Sequence, residues 1–249
     1  MKGISLNRNQ IKYLVIIAML IDHIAWAFVP MESVLGQVMH FIGRLTGPTM
    51  ACFLAEGYVH TRNVKKYAGR LGIFALVSWV PFCLFEYQRL PIGFSPERGF
   101  WFLPFFGVIY TLFLGLLAIW LWDKGKCPKW CKVLGIIGLC ALSVLGDWGV
   151  FDVLYPLVLY SYRDQPKKKW FWFSVITLVG NGFAIALSRG SVVWTCYTWG
   201  VFMVPVLMQC CYNGQGGSKK PIHKWFFYIF YPLHLLVLGL LQIVISIPV

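Results

Sequence analysis

The residues best suited to chemistry lie inside two apolar segments near the amino end of the chain. Asp22 and His23 are neighbours in segment 12–29, and Arg44 lies in segment 36–58. A charge inside a membrane span costs about 2.5–3.5 kcal/mol on insertion scales, so an ionisable residue there is a functional candidate. A histidine that a carboxylate orients can move protons near neutral pH. These segments therefore predict a site for proton transfer, with Arg44 available to bind an anion.

Further ionisable residues extend this set. Glu56 and His60 are four residues apart, so they share one face of a helix and can hydrogen-bond. His234 lies well inside the last apolar segment. Asp147 and Asp152 flank a predicted outer turn, where we expect both to be half solvated.

Each of these candidates also has a purely structural interpretation. Asp22 and Arg44 can neutralise each other in lipid, and Glu56 with His60 can form a pair at the end of a helix. A lone buried histidine such as His40 is more often a satisfied polar residue than a catalyst. The residue types alone do not decide between these interpretations.

The composition indicates that the surface around these residues is lipid. Of 249 residues, 59% are hydrophobic and 12% are charged, and the mean hydropathy is +0.69. That is too few charges to solvate the surface of a soluble globule. The apolar residues form runs close to the roughly 20 residues that a membrane-spanning helix needs.

We predict an all-α bundle of transmembrane helices that forms one domain over residues 1–249. The count is about nine spans, roughly eight to ten, because one apolar run is short. The predicted spans are 12–29, 36–58, 70–86, 102–122, 133–146, 150–161, 170–187, 193–209 and 225–247.

The distribution of Lys and Arg predicts a cytoplasmic amino terminus. Most of the 22 basic residues lie in alternate connections, at Lys2–Lys12, Arg62–Arg70, Lys124–Lys132, Arg163–Lys169 and Lys219–Lys224. The other connections hold only Arg89, Arg98 and Arg189. Short loops rich in Lys and Arg stay on the cytoplasmic side, which predicts a multi-pass protein of the inner membrane. The net charge of +13 thus reflects topology and anionic lipid headgroups, and we expect no nucleic-acid partner.

The motifs of soluble enzymes are missing from the sequence. It contains no phosphate-binding glycine loop, no Gly-x-Ser-x-Gly elbow and no His-Glu-x-x-His metal pair. Cys127 and Cys131 are spaced irregularly for zinc, so we expect no metal site.

Several motifs resemble the TraX family, membrane proteins named for the F-pilin amino-terminal acetylation protein. The strongest matches are Met19–His23, Gly43–Pro48, Glu56–Arg62, Lys66–Leu71 and Ser78–Phe82. Weaker matches follow in the expected order at Thr111–Gly115, Asp147–Gly149 and Tyr231–His234. Gly47, Gly107 and Trp148 depart from the family pattern, which affects the expected acceptor pocket more than the fold.

The resemblance implies acetyl transfer from acetyl-CoA to an amine or hydroxyl of a peptide, glycan or lipid. His23 is then the predicted base or acetyl carrier, with His234 and Arg44 completing the catalytic site and His234 the main competitor for the role of base. Asp22 orients His23 or serves His234 or Arg44 across the bundle. Substrate-binding residues would be Arg44, Glu56, His60, Thr111 and Asp147. The basic residues Arg62, Lys65, Lys66 and Arg70 would hold the phosphates of acetyl-CoA, although contact with lipid headgroups explains them equally well.

Two other classes of protein fit the same residues. A proton-coupled transporter or flippase also uses buried Asp, Glu and His, but the chain is short and shows no repeated half. An assembly subunit would use the bundle as a scaffold, and buried charges would then have little reason to concentrate in two spans.

The alternating basic connections give a direct test of topology. Reporter fusions at Gly125, Lys168 and Gly217 should report the cytoplasm, and fusions at Ser95 and Gly190 should report the opposite side. A cytoplasmic signal at Ser95 would overturn the predicted layout.

Overall fold

The computed structural model describes residues 5–97, 99–187 and 193–246, and most of these are helical. Arg98, Arg189 and Gly190 of the predicted topology lie outside the described residues. The α-helices are α1 Arg8–Phe28, α2 Val34–Gly43, α3 Thr46–His60, α4 Val64–Val77, α5 Trp79–Tyr87, α6 Val108–Lys124, α7 Lys129–Ser143, α8 Phe151–Ser161, α9 Pro166–Leu187, α10 Met203–Val206 and α11 Pro221–Ser246. A 3₁₀ helix, Val193–Phe202, precedes α10, and a π-helical turn, Leu207–Cys211, follows it.

A β-hairpin between α5 and α6 corrects the all-α prediction. Strands β1 (Ile92–Ser95) and β2 (Gly99–Phe102) pair antiparallel, with Ile92 opposite Phe102. Gly93 lies against the Trp101 ring, where a Cβ atom would overlap the indole. Glycine and proline weaken helices, and alternating aromatic residues suit a pleated strand, so this segment does not continue either neighbouring helix.

Four helical segments in the described parts of the chain are long and apolar enough to cross a membrane. They are Arg8–Phe28, Val64–Tyr87, Pro166–Leu187 and Pro221–Ile245. The other predicted spans are also largely helical, but they are shorter or interrupted. Segment 36–58 consists of α2 and α3 with a break at Arg44 and Leu45. The membrane character of the helices is therefore supported, while the count of nine and the cytoplasmic amino terminus stay predictions.

Local sequence explains where α1 begins and which face it buries. Asn7 caps the helix by accepting from the Gln10 backbone N–H, and the Gln10 side chain accepts from the Asn7 N–H. The buried positions recur at helical spacing: Ile11, Val15, Ile16, Ala18, Met19, Asp22 and Ala25. Asp22 thus lies on the buried face of α1. The next residue, His23, points about 100° away from Asp22 around the helix axis.

The chain divides into two compact units. Unit 1 comprises Met1–Phe53 and Ser161–Phe227, and unit 2 comprises Leu54–Tyr160 and Tyr228–Val249. In unit 1, Ile11, Val15 and Phe53 form an apolar core. In unit 2, a core includes Leu114, Ala118, Ile136 and Val153. The single domain over residues 1–249 stays a prediction.

Candidate active site

Helices α1 and α2 of unit 1 come into close contact at Gly43. A Cβ atom at Gly43 would overlap Cβ and Cγ of Asp22, so the absence of a side chain there lets the two helices approach. The Thr46 hydroxyl, just beyond α2, donates to the Val15 carbonyl oxygen at 2.9 Å and fixes the same contact. The carboxylate of Asp22 therefore lies directly against the last turn of α2.

The two oxygens of Asp22 bond two different side chains of that turn. Nδ1 of His40 donates to Oδ1 at 2.7 Å, and Nη2 of Arg44 donates to Oδ2 at 2.9 Å. His40 and Arg44 are four residues apart and share a face of α2. They also lie at its carboxyl end, where the helix dipole favours cations. Asp22 is 6% exposed and His40 is 0% exposed, so the cluster is buried.

Aromatic rings enclose the imidazole of His40. Its centroid is 4.4 Å from that of Trp26 and 5.5 Å from that of Tyr197. The Arg44 guanidinium lies 5.1 Å from the centroid of the Tyr197 ring. Nε2 of His40 is buried and has no hydrogen-bond partner among the residues that the structure describes. This buried nitrogen is an open position of the cluster.

The structure gives His40 a different environment from the one we expected. We treated it as a satisfied polar residue, and only its Nδ1 is satisfied. A usable signal was present in the sequence, because His40, Gly43 and Arg44 follow helical spacing and lie on one face of α2. Pairing of Asp22 with Arg44, which the sequence left open, is confirmed by the geometry.

His23 is half-buried on the neighbouring face of α1. Its Nδ1–H donates to the Met19 carbonyl oxygen, one turn earlier in the same helix, at 2.8 Å. The carboxylate oxygens of Asp22 bond His40 and Arg44. The catalytic role of His23 stays a prediction.

Other predicted site residues belong to unit 2. His234 is buried in α11, and its Nδ1–H donates to the Phe230 carbonyl oxygen at 2.9 Å. The Thr111 hydroxyl lies 2.8 Å from Oδ2 of Asp152. Asp152 is fully buried rather than half solvated, because α8 carries it into the packed interior against α6. Asp147 is half-buried as expected.

The basic segment after α3 is also in unit 2. Glu56 is half-buried and His60 is exposed at the end of α3. The cations of Arg62, Lys65 and Lys66 are exposed around the first turn of α4, and these three suit an anionic ligand such as a CoA phosphate.

Arg70, the fourth predicted cofactor ligand, is engaged within the protein. Its guanidinium lies 5.5 Å from the centroid of the Tyr67 ring and hydrogen-bonds Tyr228. Arg70 is therefore not grouped with the three exposed cations that are available to an anionic ligand. Within residues 5–97, 99–187 and 193–246, no group of three His, Cys, Asp or Glu residues is arranged to hold a metal ion.

The fold and the buried Asp–His–Arg cluster define a helical membrane protein with ionised groups held in its interior. The sequence model of the TraX protein family matches residues 7–242, and the chain belongs to the TraX family. The resemblance seen in the motifs is thereby confirmed.

A relative supports the same assignment. The chain is 30% identical over 243 residues to the "Probable fimbrial assembly protein FimC, serogroup H1" of Dichelobacter nodosus. The match covers 95% of this chain and 96% of that protein. No solved structure matches the chain.

The close contact at Gly43 generates a test of the cluster's packing. Gly43→Ala should lower the midpoint of thermal unfolding in detergent, because overpacking at a fixed side chain costs about 1–3 kcal/mol. Gly182→Ala in α9 is the matched control, since a Cβ atom there meets nothing within 4 Å. The control should unfold at the wild-type temperature or slightly above it. Equal midpoints for the two variants would show that the α1–α2 contact is loose.

Proposed function

We propose that this protein is a membrane-bound acetyltransferase that moves an acetyl group from cytoplasmic acetyl-CoA to an amine or hydroxyl acceptor. The supporting observation is the buried carboxylate of Asp22, which bonds His40 and Arg44 at once. A carboxylate that orients an imidazole is the arrangement that acyl transfer uses to activate a nucleophile. Buried ion pairs add little net stability compared with apolar packing, so stability alone does not account for the cluster.

Family membership and the relative's name support a particular class of acceptor. The relative's printed name assigns that protein to fimbrial assembly. We therefore place the peptide amino terminus of a fimbrial subunit first among acceptors, ahead of a glycan or a lipid. The proposal includes the predicted topology of about nine spans with a cytoplasmic amino terminus in the inner membrane.

The donor would bind through the exposed cations after α3. Asn63 caps α4 by accepting from the Lys66 backbone N–H at 2.9 Å, which orders the turn that carries Lys65 and Lys66. These cations lie in a connection that the charge pattern assigns to the cytoplasm, where acetyl-CoA is found. Ionic contacts with phosphates weaken as the salt concentration rises. The contribution of these cations can therefore be measured from the salt dependence of acetyl-CoA binding.

An assay with purified protein and radiolabelled acetyl-CoA separates an acetyltransferase from the two alternative functions. An acetyltransferase hydrolyses acetyl-CoA slowly, labels itself or labels an added amine. A proton-coupled transporter or flippase leaves acetyl-CoA intact, and so does an assembly scaffold.

The Asp22 carboxylate should be essential for turnover. We expect Asp22→Asn to lower the rate of acetyl transfer on the order of 10²–10⁴-fold, because the amide no longer holds the imidazole in its working tautomer. Binding of acetyl-CoA should persist. Asp164→Asn is the matched control, because that side chain is 84% exposed and should leave the rate unchanged. If Asp22→Asn turned over at the wild-type rate, the cluster would have no part in the reaction.

The exposed cations should control affinity for the donor. Neutralising Arg62, Lys65 and Lys66 with Gln should raise the Kd for acetyl-CoA and flatten its dependence on salt, with turnover at saturating donor little changed. Arg70 stays intact because it bonds Tyr228.

The control for this experiment removes the same charge elsewhere. Lys167, Lys168 and Lys169 at the start of α9 are changed to Gln, and donor affinity should not move. If both triple variants bind acetyl-CoA as tightly as wild type, the residues near α4 serve topology and lipid contact only.

A further inference from the structure

We infer that His40, acting through Nε2, is the base that takes the proton from the acceptor in the acetyl transfer. The inference rests on the proposed function and assigns the reacting atom within it. The carrying observation is a fully buried imidazole with one nitrogen bonded to a carboxylate and the other without a partner in the described chain.

The hydrogen bond to Asp22 fixes which nitrogen carries the lone pair. An ionised carboxylate only accepts, so the 2.7 Å contact requires a proton on Nδ1 of His40. Arg44 already balances the charge of Asp22 at 2.9 Å. In the neutral imidazole with its proton on Nδ1, Nε2 is the nitrogen that carries the lone pair a base requires.

The buried Nε2 of His40 lowers the stability of the folded protein unless it bonds a ligand. Burying a polar atom without a hydrogen bond costs about 1–3 kcal/mol. A leucine at position 40 would avoid that cost but would leave Oδ1 of Asp22 without its hydrogen bond from Nδ1. The bond to Asp22 thus accounts for Nδ1, and a partner that arrives with the substrate, the N–H or O–H of the acceptor, accounts for Nε2.

The other intramembrane histidines are held differently. Nδ1–H of His23 donates to the Met19 carbonyl oxygen, and Nδ1–H of His234 donates to the Phe230 carbonyl oxygen. A backbone carbonyl one turn earlier orients a ring but does not stabilise the imidazolium that forms during proton transfer. A carboxylate does both, and Nδ1 of His40 has such a contact with Asp22 at 2.7 Å.

The surrounding rings define how the acceptor reaches Nε2. Trp26 covers His40 at a centroid distance of 4.4 Å and is itself 44% exposed, whereas Tyr197 is half-buried. Because the indole of Trp26 is the more exposed of the two rings, we take it as the ring that moves to uncover the imidazole. The acceptor then enters at the carboxyl half of α1, on the side away from Arg8.

The chemical step balances with acetyl-CoA as the donor. The acceptor N–H or O–H gives its proton to Nε2 of His40 while its lone pair bonds the thioester carbonyl carbon. The carbon–sulfur bond then breaks, and the proton passes from Nε2 to the departing sulfur. The products are the acetylated acceptor and CoA thiol, and His40 returns to its starting state.

The test uses the full-length protein in detergent with radiolabelled acetyl-CoA and hydroxylamine as a small amine acceptor. His40→Gln should lower the rate of acetohydroxamate formation on the order of 10²–10⁴-fold, with the Kd for acetyl-CoA within about twofold of wild type. His223→Gln is the matched control, because His223 bonds Tyr13 and should retain the wild-type rate. His40→Ala should regain activity when free imidazole is added, which a purely structural role would not produce.

The outcomes separate a failure of the His40 assignment from a failure of the proposed acetyltransferase function. Wild-type protein that never consumes acetyl-CoA overturns both. Active wild type with an active His40→Gln, beside an inactive His23→Gln or His234→Gln, overturns the assignment of His40 alone. If the His40 variants do not bind acetyl-CoA, the wild type is treated with diethyl pyrocarbonate and its modified histidines are mapped by mass spectrometry. Turnover should then fall in step with modification of His40, and turnover lost while His40 is unmodified would overturn the inference.

Discussion

The carboxylate of Asp22 organises unit 1 because each of its oxygens bonds a different side chain of α2. This arrangement requires the two helices to approach more closely than ordinary side chains allow, and Gly43 makes that approach possible. His40 and Arg44 are one helical turn apart, so a single carboxylate can bond both. Arg44 is the residue directly after α2, and its backbone N–H still donates to the His40 carbonyl oxygen.

The environment of this cluster explains why it is suited to chemistry. Charges in a low-dielectric interior interact more strongly than in water, and their positions do not have to be reorganised during a reaction. The rings of Trp26 and Tyr197 keep solvent from the imidazole. Arg44 forms an ion pair with Asp22 at 2.9 Å, which balances the charge of the carboxylate that bonds the imidazole. Replacing a buried ion pair with apolar residues of similar volume is often neutral or stabilising, so stability alone does not explain the cluster.

The sequence predicts much of this arrangement and misses part of it for identifiable reasons. The apolar periodicity of α1 places Asp22 on the buried face. Because a charge inside a membrane span costs free energy, Asp22 and Arg44 are expected to pair. His40 was missed because a single histidine in an apolar run carries no signal until its spacing to Gly43 and Arg44 is considered. The hairpin was missed because it lies almost wholly in the connection between the predicted spans 70–86 and 102–122, for which we predicted no strand. Contacts between distant segments, such as Thr111 with Asp152, depend on tertiary packing that local pattern does not encode.

The most direct test of the account is a cryo-electron microscopy structure with acetonyl-CoA, a donor analogue whose carbonyl group cannot be transferred. The account predicts that its carbonyl carbon faces Nε2 of His40, with room between them for one nucleophile within hydrogen-bond reach of the nitrogen. It also predicts that the indole of Trp26 has turned away from the imidazole. An analogue whose carbonyl group lies beside His234, with His40 still enclosed by its aromatic neighbours, would contradict the account.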